Sequence, residues 1–157
     1  MLIDSIKKDL KIAMKSKDTL KISTLRMITS SIKNMEISNR GSSNKDSSEN
    51  SLSDSEVIQL LTKMIKQRKE SAEIYNKSNR NDLEKKENDE IVIIEQYMPN
   101  QIDDKEVSKL IDQVINETGS SNIKDMGKVM SVLKEKYSGQ MDFGKASSIV
   151  KEKLNSQ

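Results

Sequence analysis

The chain has 157 residues, 33% of them charged and 3% aromatic, enough for one domain or two small ones; its single proline and five glycines are too few turn formers for a β-sandwich or barrel. Without cysteine or histidine it has no disulfide, no thiol nucleophile, no thiolate metal site, and lacks the commonest general base. The net charge is only +2, and no apolar run reaches the roughly 18 residues of a membrane span, so no membrane partner is expected.

Leu, Ile, Met, Lys and Glu dominate, and their spacing predicts helices throughout. The first carries Ile3, Ile6, Leu10, Ala13 and Met14 on one stripe. Its acidic residues, Asp4 and Asp9, fit neither the apolar core of a signal peptide nor an acid-poor transit peptide, and the expected compartment is the cytoplasm. Asp18 is placed to cap a second helix with Ile22, Leu25, Ile28, Ile32 and Met35 inward. Residues 38–54 are nearly all small and polar, too poor in apolar surface to offset their ordering entropy, which predicts a flexible insert. Ser53 and Glu56 form a capping box for a third helix carrying Val57, Leu61, Met64, Ile65, Ala72 and Tyr75. A turn at Ser78-Asn79-Arg80 leads to a fourth, with Leu83, Ile91, Ile94 and Tyr97 inward.

Pro99 disfavours helix at the residue before it, so the domain boundary is set there: a helical region over 1–98 and a three-helix domain over 99–157. Asp103 to Glu106 reads as a second capping box, for a fifth helix burying Val107, Leu110, Ile111 and Val114. Gly119 ends it in the left-handed conformation that only Gly adopts without steric cost. Asn122 caps the sixth helix, with Ile123, Met126, Met130, Leu133 and Tyr137 inward. Gly127 in its first turn implies a closely packed backbone there. Asp142 caps the seventh, with Phe143, Ala146, Ile149, Val150 and Leu154. The fold class is all-α.

Several stretches resemble the YqeY-like, or GatB/YqeY domain, family. They are Gln67-Arg68-Lys69-Glu70-Ser71, Arg80-Asn81-Asp82-Leu83 with Glu87, Tyr97-Met98-Pro99-Asn100-Gln101, and Thr118-Gly119 through Met130. Gly139-Gln140-Met141-Asp142 with Lys145 is a weaker match, and the insert at 38–54 is longer than the family's usual loop. The resemblance implies an N-terminal helical hairpin region and a C-terminal three-helix domain. It also implies tRNA as a partner, because the same domain forms the tail of the B subunit of the tRNA-dependent amidotransferase. There it contacts tRNA and does no chemistry. Family members also carry the label of carbon–nitrogen ligases with glutamine as amido donor. The implied function is a non-catalytic accessory domain beside amidotransferase subunits, with a protein-interaction adaptor as the alternative.

The residues supply no catalytic set to match the ligase label. Gly41-Ser42-Ser43 echoes Ser–Ser–Lys amidase chemistry but lies in the polar insert, without preorganised donors. Ser-x-x-Lys spacings, as at Ser30/Lys33, recur as a Ser- and Lys-rich chain would produce them by chance. The carboxylates from Glu84 to Glu90 read as a solvated helix face, and neither metal nor cofactor is expected.

Charge is uneven along the chain. Residues 1–40 hold nine Lys or Arg against four Asp or Glu, whereas residues 98–157 balance at nine each. Lys7, Lys8, Lys11 and Lys15 fall within about 100° on the first helix and form a stripe suited either to phosphates or to solvent alone. In the C-terminal region Lys124, Lys128 and Lys145 lie near helix N-termini, whose amides attract phosphate. Arg68 lies in the apolar stripe of the third helix and needs a carboxylate. Hairpin geometry offers Glu87 and Glu90, as an ion pair fixing register or as part of a ligand site.

Overall fold

A computed structural model describes residues 1–42 and 51–156. Among them the chain is all-α: α1 (Leu2–Ser16), α2 (Thr19–Ser42), α3 (Asp54–Lys77), α4 (Asn81–Glu95), α5 (Asp104–Thr118), a 3-10 turn (Ile123–Asp125), α6 (Met126–Lys136) and α7 (Phe143–Asn155). None of the described helices is long and apolar enough to cross a membrane. Two compact units divide the chain, Met1–Met98 and Pro99–Gln157.

In the first unit α1 packs on α2 and α3, and α2 and α3 pack in turn on α4. Ile3 and Ile6 of α1, Leu25 and Ile28 of α2, Val57 and Leu61 of α3 and Ile94 of α4 are buried in one core. Each Leu or Ile so buried contributes about 1.5–3 kcal/mol. Asn76 donates to Glu84 (3.1 Å) and Arg68 to Glu90 (2.8 Å). These pairs step in opposite directions along their helices, so α3 and α4 run antiparallel. The turn between them is closed by Asn79 at φ 55°, a left-handed position that Asn tolerates.

The caps set where the helices begin. The Asp18 carboxylate accepts from the Lys21 amide at 3.1 Å. Ser53 and Glu56 complete their box, hydroxyl to amide at 3.3 Å and amide to carboxylate at 2.8 Å. Ser53's amide, and secondarily its hydroxyl, hold the Glu56 carboxyl below its ordinary range. Asp103, by contrast, accepts from the Lys105 amide (3.3 Å) rather than from Glu106.

Four expectations are corrected. The polar insert is shorter than 38–54: α2 continues through Ser42, Leu52 is 1% exposed in the core, and Ser53 is already a cap. The rest of it, residues 43–50, lies outside the described residues. Met14 is 50% exposed, because it sits about 80° round α1 from Ile6, at the edge of the buried stripe. Ile123 is exposed because it belongs to the 3-10 turn rather than to α6, and Val129, fully buried, takes the core place instead. At Gly127 an added Cβ would meet nothing within 4 Å, so no backbone approaches it.

In the second unit α5, α6 and α7 pack pairwise around Val107, Ile111, Val114, Val129, Leu133, Ala146, Val150 and Leu154. Gly119 closes α5 at φ 63°. The segment after Pro99 is tied to the α6–α7 turn: Gln101 donates to the Gly139 carbonyl (2.6 Å) and the Ile102 amide to that of Gln140 (2.8 Å).

Candidate functional site

The α1 lysines are placed by the burial of the opposite face. With Ile3, Ile6 and Ala13 in the core, Lys7, Lys8, Lys11 and Lys15 all point to solvent. None of the four is ion-paired among the described residues. α1 is anchored from the core side by the Tyr97 hydroxyl, which donates to the Asp9 carboxylate at 2.7 Å. Burial, and then this bond, push the Tyr97 phenol well above its ordinary pKa.

Arg68 crosses from α3 to Glu90 on α4, Nε to carboxylate at 2.8 Å, with side chains 11% and 6% exposed. The contact runs to Glu90 and not to Glu87, which lies about 60° away from it round α4, one turn closer to the helix start. Arg68 also donates from Nη1 to the Met64 carbonyl (3.2 Å) and from Nη2 to the Met27 sulfur (3.4 Å). The last is a weak acceptor for a guanidinium. This end of Arg68 lines an open cavity of about 420 Å³ with Arg26, Met27 and Ser30 of α2 and Met64 of α3. Arg26 also lines an adjoining cavity, beside Met14 of α1 and Ile22 of α2. Sequence periodicity missed this groove because it arises between helices.

Lys124, Lys128 and Lys145 are not assembled into an anion cradle, because the amides near them are occupied. Asn122 accepts from the Lys124 amide (2.9 Å), and Asp125 from the amides of Ser121 (3.0 Å) and Asn122 (3.3 Å). Those two amides, and more weakly the Lys128 charge, hold the Asp125 carboxyl below its ordinary range. Asp142 accepts from Gly144 (2.8 Å) and Lys145 (3.3 Å). The Lys128 ammonium donates to the Thr118 carbonyl (3.0 Å) at the end of α5. Of the carboxylate run, Glu84 and Glu90 are engaged by Asn76 and Arg68. Gly41 and Ser42 end α2, and Ser43 lies outside the described residues.

The chain is thus all-α, its four α1 lysines carry no ion pair among the described residues, and side chains cap the helix starts at Asp103, Asn122 and Asp142. The family model described as Yqey-like protein matches residues 3–154, and the chain belongs to that family. It is similar to proteins described as "Altered inheritance of mitochondria protein 41, mitochondrial" from yeasts. The Vanderwaltozyma polyspora protein is 34% identical over 128 residues, 77% of this chain and 64% of that one. The Lachancea thermotolerans protein is 35% identical over 133 residues, 80% and 66%. The Saccharomyces cerevisiae protein is 35% identical over 127 residues, 77% and 64%. The chain thus spans somewhat less than two thirds of these relatives' own lengths. Their names correct the cytoplasmic expectation, since each is described as mitochondrial.

Proposed function

We propose that the chain is a non-catalytic, tRNA-associated accessory protein that works beside amidotransferase subunits, in the mitochondrial setting that its relatives' names carry. The observation supporting this reading is the α1 stripe of Lys7, Lys8, Lys11 and Lys15, exposed and without an ion pair among the described residues. A cation not held in an ion pair is available to an incoming phosphate, and each phosphate so neutralised releases counterions. The contact is electrostatic rather than stacked, since 3% aromatic residues leave few platforms for bases. Lys124, Lys128 and Lys145 stay secondary in this reading, because Asn122 and Asp142 already accept from the Lys124 and Lys145 amides and the Lys128 ammonium already donates to the Thr118 carbonyl.

The test is tRNA binding by fluorescence anisotropy across a salt series. Four phosphate contacts give a log–log slope of roughly −3 to −4, a loss on the order of a hundredfold between about 50 and 200 mM salt. Charge reversal at the four α1 lysines should abolish most of that slope. Salt-independent binding, or no binding at about 50 mM, would move the reading to the protein-interaction adaptor. Incubation with glutamine, ATP and misacylated tRNA should yield no amide, and turnover would overturn the non-catalytic reading.

A further inference from the structure

We propose that the groove along α2 is a docking site for an acidic amphipathic helix of a partner protein, separate from the α1 lysine face. The groove consists of the two cavities that share Arg26, and it follows α2 from Thr19 to Ser31. Twelve residues of α2 rise about 18 Å, the length of a partner helix of roughly three turns. Its apolar lining is dominated by thioethers, from Met14 and Met27, which are 50% and 37% exposed, and Met64 beneath them. Methionines reshape around an incoming apolar stripe at little rotameric cost, which suits helix-in-groove binding.

Charge selects the partner. No carboxylate lines either cavity, whereas two guanidiniums do. Arg26 is exposed and has no acceptor for its guanidinium among the described residues. Arg68 turns Nη2 toward the groove, with only the Met27 sulfur 3.4 Å away as acceptor. A glutamate or aspartate of a docked helix would replace that weak acceptor with a strong one and give Arg26 the carboxylate it lacks. RNA fits this surface less well than an acidic helix, because no aromatic ring lines it for a base to stack on.

The test uses the full chain with a photoreactive phenylalanine analogue in place of Ser30, inside the groove, and a control chain carrying it in place of Glu73, which is exposed on α3 outside the groove. After cross-linking in cells, mass spectrometry maps the adduct on the partner, and the mapped segment is synthesised as a peptide. The expected adduct is a protein segment of net negative charge with apolar residues at helical spacing. The peptide should gain helicity on binding the intact chain and lose at least about tenfold in affinity to Arg26→Glu. Arg26 is exposed, so that variant should keep the wild-type circular dichroism. Any of five results overturns the proposal: nuclease-sensitive adducts on RNA, adducts on this chain itself, a mapped segment that is not acidic, no adduct above the Glu73 control, or a mapped peptide that binds Arg26→Glu as it binds wild type. Because the readout is a protein adduct and a peptide affinity, it stands or falls separately from tRNA binding.

Discussion

The Arg68–Glu90 pair shows what one buried contact contributes and what it does not. At 2.8 Å with both side chains nearly enclosed, it is desolvated, so its Coulomb gain is largely offset by the water each charge gave up. Removing one partner is different, since it strands the other charge. Arg68→Ala or Glu90→Ala should each cost about 3–5 kcal/mol in chemical denaturation, and a double-mutant cycle should show strong coupling. The same cycle with Glu87→Ala should be additive within about 0.5 kcal/mol, because the contact does not reach Glu87. Tyr97 offers a pH test. Its folded pKa is raised, so folding favours the protonated phenol. That contribution is fully present below the unfolded value of about 10 and is lost as pH rises from there through the folded value. Wild-type stability should therefore fall between about pH 9 and 11 more steeply than that of Tyr97→Phe. Equal slopes would mean that the hydroxyl does not hold Asp9.

Glycine positions decide between two kinds of helix end. Gly119 holds φ 63°, where a Cβ is strained, so Gly119→Ala should destabilise by about 1 kcal/mol. Gly127 lies in α6 with open space around it, so Gly127→Ala should stabilise by about 0.5 kcal/mol, seen as a higher melting temperature. The sequence read Gly119 correctly as the left-handed end of α5 but Gly127 wrongly as a close backbone approach, because helical periodicity says where a backbone runs and not what lies beside it. The same limit explains Leu52. Its neighbours are Ser and Asn, so composition assigned it to the insert, yet it is 1% exposed and Leu52→Ala should cost about 2–5 kcal/mol. Caps were legible because their chemistry is local: Asp18, Ser53, Asn122 and Asp142 each bond an amide two or three residues on. The α2 groove was not legible, because it depends on how α1, α2 and α3 sit side by side.

At the scale of the molecule, several residues that carry the family resemblance are occupied by contacts within the fold. Arg68 meets Glu90, Gln101 meets Gly139, and Thr118 shares a 2.7 Å hydroxyl contact with Ser120 beside Gly119. These contacts belong to the fold's own framework. The framework builds two cores, one around Ile6, Leu25 and Ile94 and one around Ile111, Leu133 and Val150. No residue of one core belongs to the other, and the second unit, of about 60 residues, lies in the size range where a core alone is marginal. Leu133→Ala removes a fully buried side chain from that smaller core and should cost it about 2–5 kcal/mol. Native-state hydrogen exchange should then show the amides of α5, α6 and α7 losing protection together, by a factor matching that loss, while those of α3 keep theirs. An equal loss of protection in α3 would mean that the chain unfolds as one cooperative body, despite its two cores.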